Sequence, residues 1–270
     1  MPAGTGGHPA SPGQRTARRE ARRNGVESGQ EISVFHVSCS GPRWRRTPLL
    51  LLLVALGSVA PEPAISDDRQ AWSALFVNGP VARGSRLLGW FDGHARFRED
   101  GDELDVNLLR PGLGWRVGPK LDLWVGYARI ETQRAGDDLT EERAWQQATY
   151  PVAKWAGGSL SGRTRLEQRF RDTGDDTGWR LRQFFRYARP SASHPHFGLL
   201  ASTEVFYSLN EADWGQRSGF DQNRALLGGY YQPSARWRIE AGYMHQYIRV
   251  AGPRPDRTHH NLSLAFFALL

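Results

Sequence analysis

The residues best placed to do chemistry in this sequence alternate along one stretch, Ser159 to Arg171, SLSGRTRLEQRFR. Arg163, Arg165, Glu167, Arg169 and Arg171 take every second position, against Leu160, Gly162, Thr164, Leu166, Gln168 and Phe170. An extended strand sends successive side chains to opposite faces, so one face is mostly apolar and the other carries four further charges beside Glu167. A helix would scatter the arginines around its circumference. The pattern returns downstream. Arg180, Arg182 and Arg186 alternate with Trp179, Leu181 and Phe185, and Arg238 and Glu240 alternate with Trp237, Ile239 and Ala241. Arg96, Arg110, Arg116, Glu204 and Arg224 take equivalent places on other candidate strands.

Two kinds of chemistry suit this set. Glu167, Glu204 and Glu240 can pair with arginines on neighbouring strands as a ladder. Planar guanidinium favours bidentate pairing, which fits a chain whose only lysines are Lys120 and Lys154. The arginines also outnumber the glutamates, and an uncompensated excess biases a water-filled lumen toward anions. Asp92 and Asp122 offset part of that excess. Other chemistries find less support. His94, His245, His259 and His260 show no metal-ligand spacing, and the adjacent His259 and His260 point to opposite faces of a strand. Neither a metal nor a cofactor is expected. Ser202, Ser208 and His245 supply the residue types of a hydrolase on a barrel rim, with nothing in the sequence to bring them together.

The elements that would position these residues are strands. The alternation over residues 68–270 predicts an all-β fold, an antiparallel transmembrane β-barrel that is apolar outside and polar inside. Candidate strands cover 70–77, 86–98, 104–117, 121–130, 142–150, 159–171, 179–188, 197–208, 220–231, 236–248 and 260–270. These number eleven, whereas single-chain bacterial barrels close with an even number. Either 70–77 lies outside the barrel, giving ten strands, or a strand near 131–157 is hidden, giving twelve; twelve is favoured. The connections at 208–219 and 249–259 are long and polar while 232–235 is short, the barrel habit of long outer loops and short periplasmic turns. The ten Trp, eight Tyr and twelve Phe suit aromatic girdles at membrane interfaces.

The formal charge of +7 is uneven. Residues 1–46 carry eight Arg against three Glu, a net of +5, which leaves +2 for the rest. A nucleic-acid partner needs a basic folded domain and is not expected. Residues 1–42 read as a disordered extension rich in Gly, Pro, Arg and Ser. Residues 43–57 read as a signal-peptide core, Arg43-Trp44-Arg45-Arg46 followed by the apolar run from Leu49, too short to span a bilayer as a helix. Residues 58–67 form a short linker. The signal lies far from Met1, and a translation start at Val34 or Val37 accounts for that distance. The lone Cys39 precedes the signal core, so the exported chain makes no disulfide.

A set of short motifs adds a resemblance. Asp68-Arg69-Gln70-Ala71-Trp72, Leu109-Arg110-Pro111-Gly112-Leu113-Gly114-Trp115, Val125-Gly126-Tyr127, Arg165-Leu166-Glu167-Gln168-Arg169-Phe170, Gln222-Asn223-Arg224 and Ala241-Gly242-Tyr243-Met244 occur in this order. Together they resemble the bacterial family called "domain of unknown function 2490" over residues 68–270. The resemblance implies a Gram-negative outer-membrane barrel and carries over no catalytic residues. The chain departs from the usual aromatic end of such barrels, finishing Phe266-Phe267-Ala268-Leu269-Leu270.

The expected function is a structural barrel or small passive pore of the outer membrane, lined by Arg163, Arg165, Glu167, Arg169, Arg171, Arg180, Arg182, Glu204, Arg224 and Glu240, with an anion preference. Its expected partners are outer-membrane lipid, the insertion machinery during assembly, and a small anionic solute. Two alternatives stand beside it: a barrel-embedded lipid-modifying enzyme, and a soluble exported barrel of lipocalin type, whose apolar face would turn inward.

Overall fold

A computed structural model describes residues 67–98, 103–250 and 255–270. The extension, signal core and linker expected over residues 1–67 lie outside the described residues, except Asp67, which opens the first strand. The described chain forms the strands β1 (Asp67–Pro80), β2 (Leu87–Arg98), β3 (Glu103–Gly118), β4 (Leu121–Thr132), β5 (Leu139–Trp155), β6 (Gly158–Arg171), β7 (Gly178–Pro190), β8 (Phe197–Ser208), β9 (Gly219–Tyr231), β10 (Trp237–Ile248) and β11 (Arg257–Leu269). They close into a barrel in which each strand pairs with its sequence neighbours, and β1 also pairs with β11.

The strand number corrects both expectations, ten and twelve. The barrel has eleven described strands, as the alternation itself counts them. β1 is a full member, and the stretch searched for a hidden strand is filled by β4 running to Thr132 and β5 running from Leu139 to Trp155. The even-number rule follows from hairpins alone, which bring first and last strands together antiparallel. Here β1 and β11 run parallel, from Asp67 opposite Thr258 to Asn78 opposite Leu269. A parallel ladder has slanted but complete hydrogen bonds, so both edges are still satisfied. Every other pairing is antiparallel.

The two ends of the barrel differ. At one end two of the links are only two residues long: Pro119 and Lys120 join β3 to β4, and Ala156 and Gly157 join β5 to β6. Ala156 (φ 47°) and Gly157 (φ 76°) both have positive φ, the two-residue hairpin geometry that matches strand twist. Leu270 lies at this end. The other end carries residues 172–177 and the longer 209–218 loop, together with the start of β1.

The two faces separate by residue type. Leu109, Leu113, Leu123, Val125, Leu199, Leu227 and Leu262 are exposed on the outside. Exposed aromatics lie toward both strand ends, with Phe91, Tyr127, Phe185 and Tyr243 nearer mid-strand. Trp115, Trp155, Phe197, Tyr231 and Trp237 lie toward the short-turn end, and Phe170, Trp179 and Tyr207 toward the long-loop end. The tryptophans are not all outside, however. Trp72, Trp124 and Trp145 are buried in the lumen, with Trp90 packed against the last two.

Glycines make room for this inner cluster. A methyl group on Gly126 would lie 2.3 Å from Trp145 Cζ2 and 2.4 Å from the Pro111 carbonyl, and one on Gly114 would lie 2.4 Å from Trp124 Cε3. The Trp145 indole N–H donates to the Tyr127 carbonyl at 3.0 Å, which holds the ring over the gap. Since neither ring nor backbone can yield cheaply, Gly126→Val is expected to lower stability by about 1–3 kcal/mol through overpacking. The urea midpoint of the refolded barrel measures it, and an unchanged midpoint means that Trp145 repacks freely.

Candidate functional site: an arginine-lined lumen

The inner face of β5 to β8 carries most of the charge. Arg165 and Glu167 on β6 are fully buried. Glu167 accepts from Arg180 Nη2 at 2.7 Å and from Arg182 Nη1 at 2.6 Å, both on β7. Arg182 also reaches Glu204 on β8, donating from Nε at 3.0 Å and from Nη2 at 2.8 Å. Glu204 accepts a further bond from Arg163 Nη2 at 2.6 Å. The guanidinium of Arg182 therefore bridges two glutamates, the bidentate role that its planar fork allows and an ammonium does not.

Other links leave the neighbouring strands. Glu240 on β10 pairs with Arg238 on its own strand, 2.9 Å away, and with Arg186 on β7. Arg180 Nη1 donates to Asp221 on β9 at 3.0 Å. The Arg186–Glu240 and Arg180–Asp221 contacts skip intervening strands, so the network is a set of struts across the lumen as well as a ladder along its wall.

Sequence reasoning missed a third node. Glu141 on β5 accepts from Arg169 Nε at 2.6 Å, Arg171 Nε at 2.7 Å and Arg143 Nε at 2.6 Å. The signal was present: Glu141, Arg143, Trp145 and Gln147 alternate like the residues of β6, but a strand begun at Glu142 leaves the first of them out. The Asp92–His94 pair was also missed. Asp92, fully buried, contacts His94 Nε2 at 2.6 Å, accepts from the Trp90 indole N–H at 2.5 Å and lies 3.5 Å from Arg110.

Ser202, Ser208 and His245 do not assemble. Ser202 lines the lumen and Ser208 is buried, whereas His245 lies in the outward set of β10, its ring 5.7 Å from that of His260. No group of three His, Cys, Asp or Glu among the described residues is arranged to hold a metal ion.

Thirteen arginines (Arg96, Arg110, Arg116, Arg143, Arg163, Arg165, Arg169, Arg171, Arg180, Arg182, Arg186, Arg224, Arg238) meet seven carboxylates (Asp92, Asp122, Glu141, Glu167, Glu204, Asp221, Glu240) among the described lumen residues, an excess of six positive charges. Aromatic faces take up part of the excess. Arg165 lies 4.6 Å from the Trp145 ring, and Arg182 lies 4.5 Å from Phe206. Even so, Nη1 and Nη2 of Arg165 are buried without a hydrogen-bond partner; its Nε donates to Gln147 at 2.8 Å.

The 209–218 loop leans over the long-loop mouth. Trp214 stacks on Arg171 at 4.5 Å and on Arg169 at 5.0 Å, and Gln216 accepts from Arg169 Nη1 at 3.0 Å. Asp213 ties this loop to residues 172–177 by accepting the backbone N–H groups of Asp175 at 2.9 Å and Asp176 at 3.2 Å.

A family model described as a protein of unknown function (DUF2490) matches residues 69–257, from the third residue of β1 to the first of β11. The chain belongs to this family. An uncharacterized protein of Methylorubrum extorquens is 33% identical over 228 residues, covering 83% of this chain and 98% of the relative. The DUF2490 match therefore spans the three glutamate nodes and the inner tryptophans.

Two expectations follow from these contacts. Glu167→Ala leaves Arg180 and Arg182 short of a carboxylate in a desolvated lumen and is expected to cost on the order of 3 kcal/mol; an unaltered urea midpoint would refute the network. The N–H groups of Asp175 and Asp176 hold the Asp213 carboxyl below its ordinary range. With the folded value depressed, this tie is complete above the unfolded pKa and is lost as pH falls through the folded one. Amide exchange at Asp175 and Asp176, corrected for its intrinsic pH dependence, is expected to lose protection on acidification. Asp213→Asn is expected to weaken that protection at neutral pH.

Proposed function

We propose that this DUF2490 chain is a Gram-negative outer-membrane β-barrel whose positively charged lumen admits small anions. The observation that carries the membrane assignment is the outer face. Leu113, Val125, Leu199, Leu227 and Leu262 are each more than half exposed, on five different strands, with aromatic residues toward both ends. In water so extended an apolar surface is a liability, whereas in hydrocarbon it is the required surface. With the two-residue turns read as periplasmic, Leu270 lies on that side and the 209–218 loop on the outer one. The excess of arginine supports anion preference, since a charged lumen between low-dielectric walls concentrates counter-ions. The same outer face weighs against a lipocalin-type barrel, which would turn its apolar side chains inward.

Planar-bilayer recording of the refolded protein tests this reading, with a heat-sensitive gel shift as the control for folding. The expected result is discrete conductance steps with a reversal potential of anion-selective sign in a salt gradient. A folded barrel that inserts but is silent or cation-selective overturns the anion pathway. A folded product that stays soluble without detergent overturns the membrane assignment.

A further inference from the structure

We propose that the lumen is a binding site for a single-chain anionic amphiphile, its head group held by Arg96 and Arg224 and its acyl chain lying on the apolar wall formed by Leu200, Leu226 and Phe267. This rests on the lumen being the working site of the protein.

Three observations point to such a ligand. First, the lumen encloses a cavity of about 520 Å3, within the range of small-molecule sites. Second, two of its arginines stand without a carboxylate partner among the described residues. Arg96 and Arg224 both stack on Trp72, at 4.1 and 4.9 Å, so two cations share one ring. Neither has a carboxylate within 4.0 Å among the described residues, whereas Glu141, Glu167 and Glu204 each hold at least two guanidinium groups. The Nε atoms of Arg96 and Arg224 are buried without an acceptor, and Arg224 donates to Gln222 at 3.3 Å. Like charges brought together on a lumen wall call for an anion, and a carboxylate or phosphate monoester presents oxygens that a guanidinium fork can hold.

Third, the same cavity is lined by Phe76, Leu200, Leu226, Met244 and Phe267. A free inorganic anion would leave that wall wetted and unused. A head group joined to one hydrocarbon chain satisfies the cations and covers the wall together. Two head groups share this chemistry, the carboxylate of a fatty acid and the phosphate of a lysolipid, and competition separates them.

The test uses the full chain refolded in non-ionic detergent, with folding checked by heat-sensitive mobility. cis-Parinaric acid is titrated and its binding read by energy transfer from tryptophan. The expected result is saturable binding that is at least about tenfold weaker for the methyl ester and for Arg224→Gln, and weakened by Leu226→Trp, which fills the apolar wall. Displacement by oleate or by lysophosphatidate then names the preferred head group. Equal affinity for acid and ester, no effect of Arg224→Gln, or displacement by inorganic phosphate as effective as that by oleate overturns the proposal. Where Arg224→Gln does not fold, Arg96→Gln and the acid–ester ratio carry the same test. Binding is read without a bilayer or a current. A silent barrel that binds parinarate and a conducting barrel that does not are therefore separate outcomes for the two readings.

Discussion

The structure depends on one constraint: guanidinium groups enclosed by a barrel wall must find anions, aromatic faces or water inside it. Burying charges removes hydration that a protein recovers only through close, well-directed partners. Glu141, Glu167 and Glu204 meet this need with guanidinium nitrogens at 2.6–3.1 Å. Arg182, by bridging Glu167 and Glu204, joins β6, β7 and β8 through side chains as well as backbone. The Arg186–Glu240 pair spans from β7 to β10, past two intervening strands. Where carboxylates run short, rings stand in, as Trp72 does for Arg96 and Arg224.

Space is the second constraint. A barrel of this strand number leaves an interior that side chains must largely fill. Tryptophans fill the β2–β5 side, and this is feasible because Gly112, Gly114 and Gly126 present no side chain to them. Charge fills the β5–β8 side, and a mixed wall on β8–β11 and β1, with Leu200, Leu226, Phe267 and Phe76 among its apolar residues, borders the cavity that remains. The lumen is thus neither a uniform polar pore nor a dry core. Such an asymmetric interior suits selective occupancy better than free bulk flow.

Much of the fold was legible because strand periodicity is a local property. The alternation of Arg163, Arg165, Glu167 and Arg169 with Thr164, Leu166 and Gln168 needs only the pleat. Closure was less legible. The count of eleven was present in the pattern, but a rule drawn from all-antiparallel barrels favoured twelve, and no local feature of Asp67–Pro80 announces a parallel partner 191 residues away in β11. The tryptophans divided poorly as well. Trp115 and Trp124 look alike in sequence, yet one faces outward and the other inward, because the turn at Pro119 and Lys120 and the register slip between Arg116 and Gly118 set the phase of β4.

What the sequence determined by itself is the strand pattern, the two chemically opposite faces and the arginine excess, all consequences of residue type repeated at a period of two. Only the tertiary structure decided which carboxylate serves which arginine. Glu240 meets Arg186, 54 residues earlier, and Glu204 meets Arg163, 41 residues earlier. The structure also decided that Arg96 and Arg224 share a ring rather than a carboxylate. The physical reason is that pairing in a lumen depends on curvature, register and closure, which bring distant strands within hydrogen-bond reach and leave no trace in local spacing.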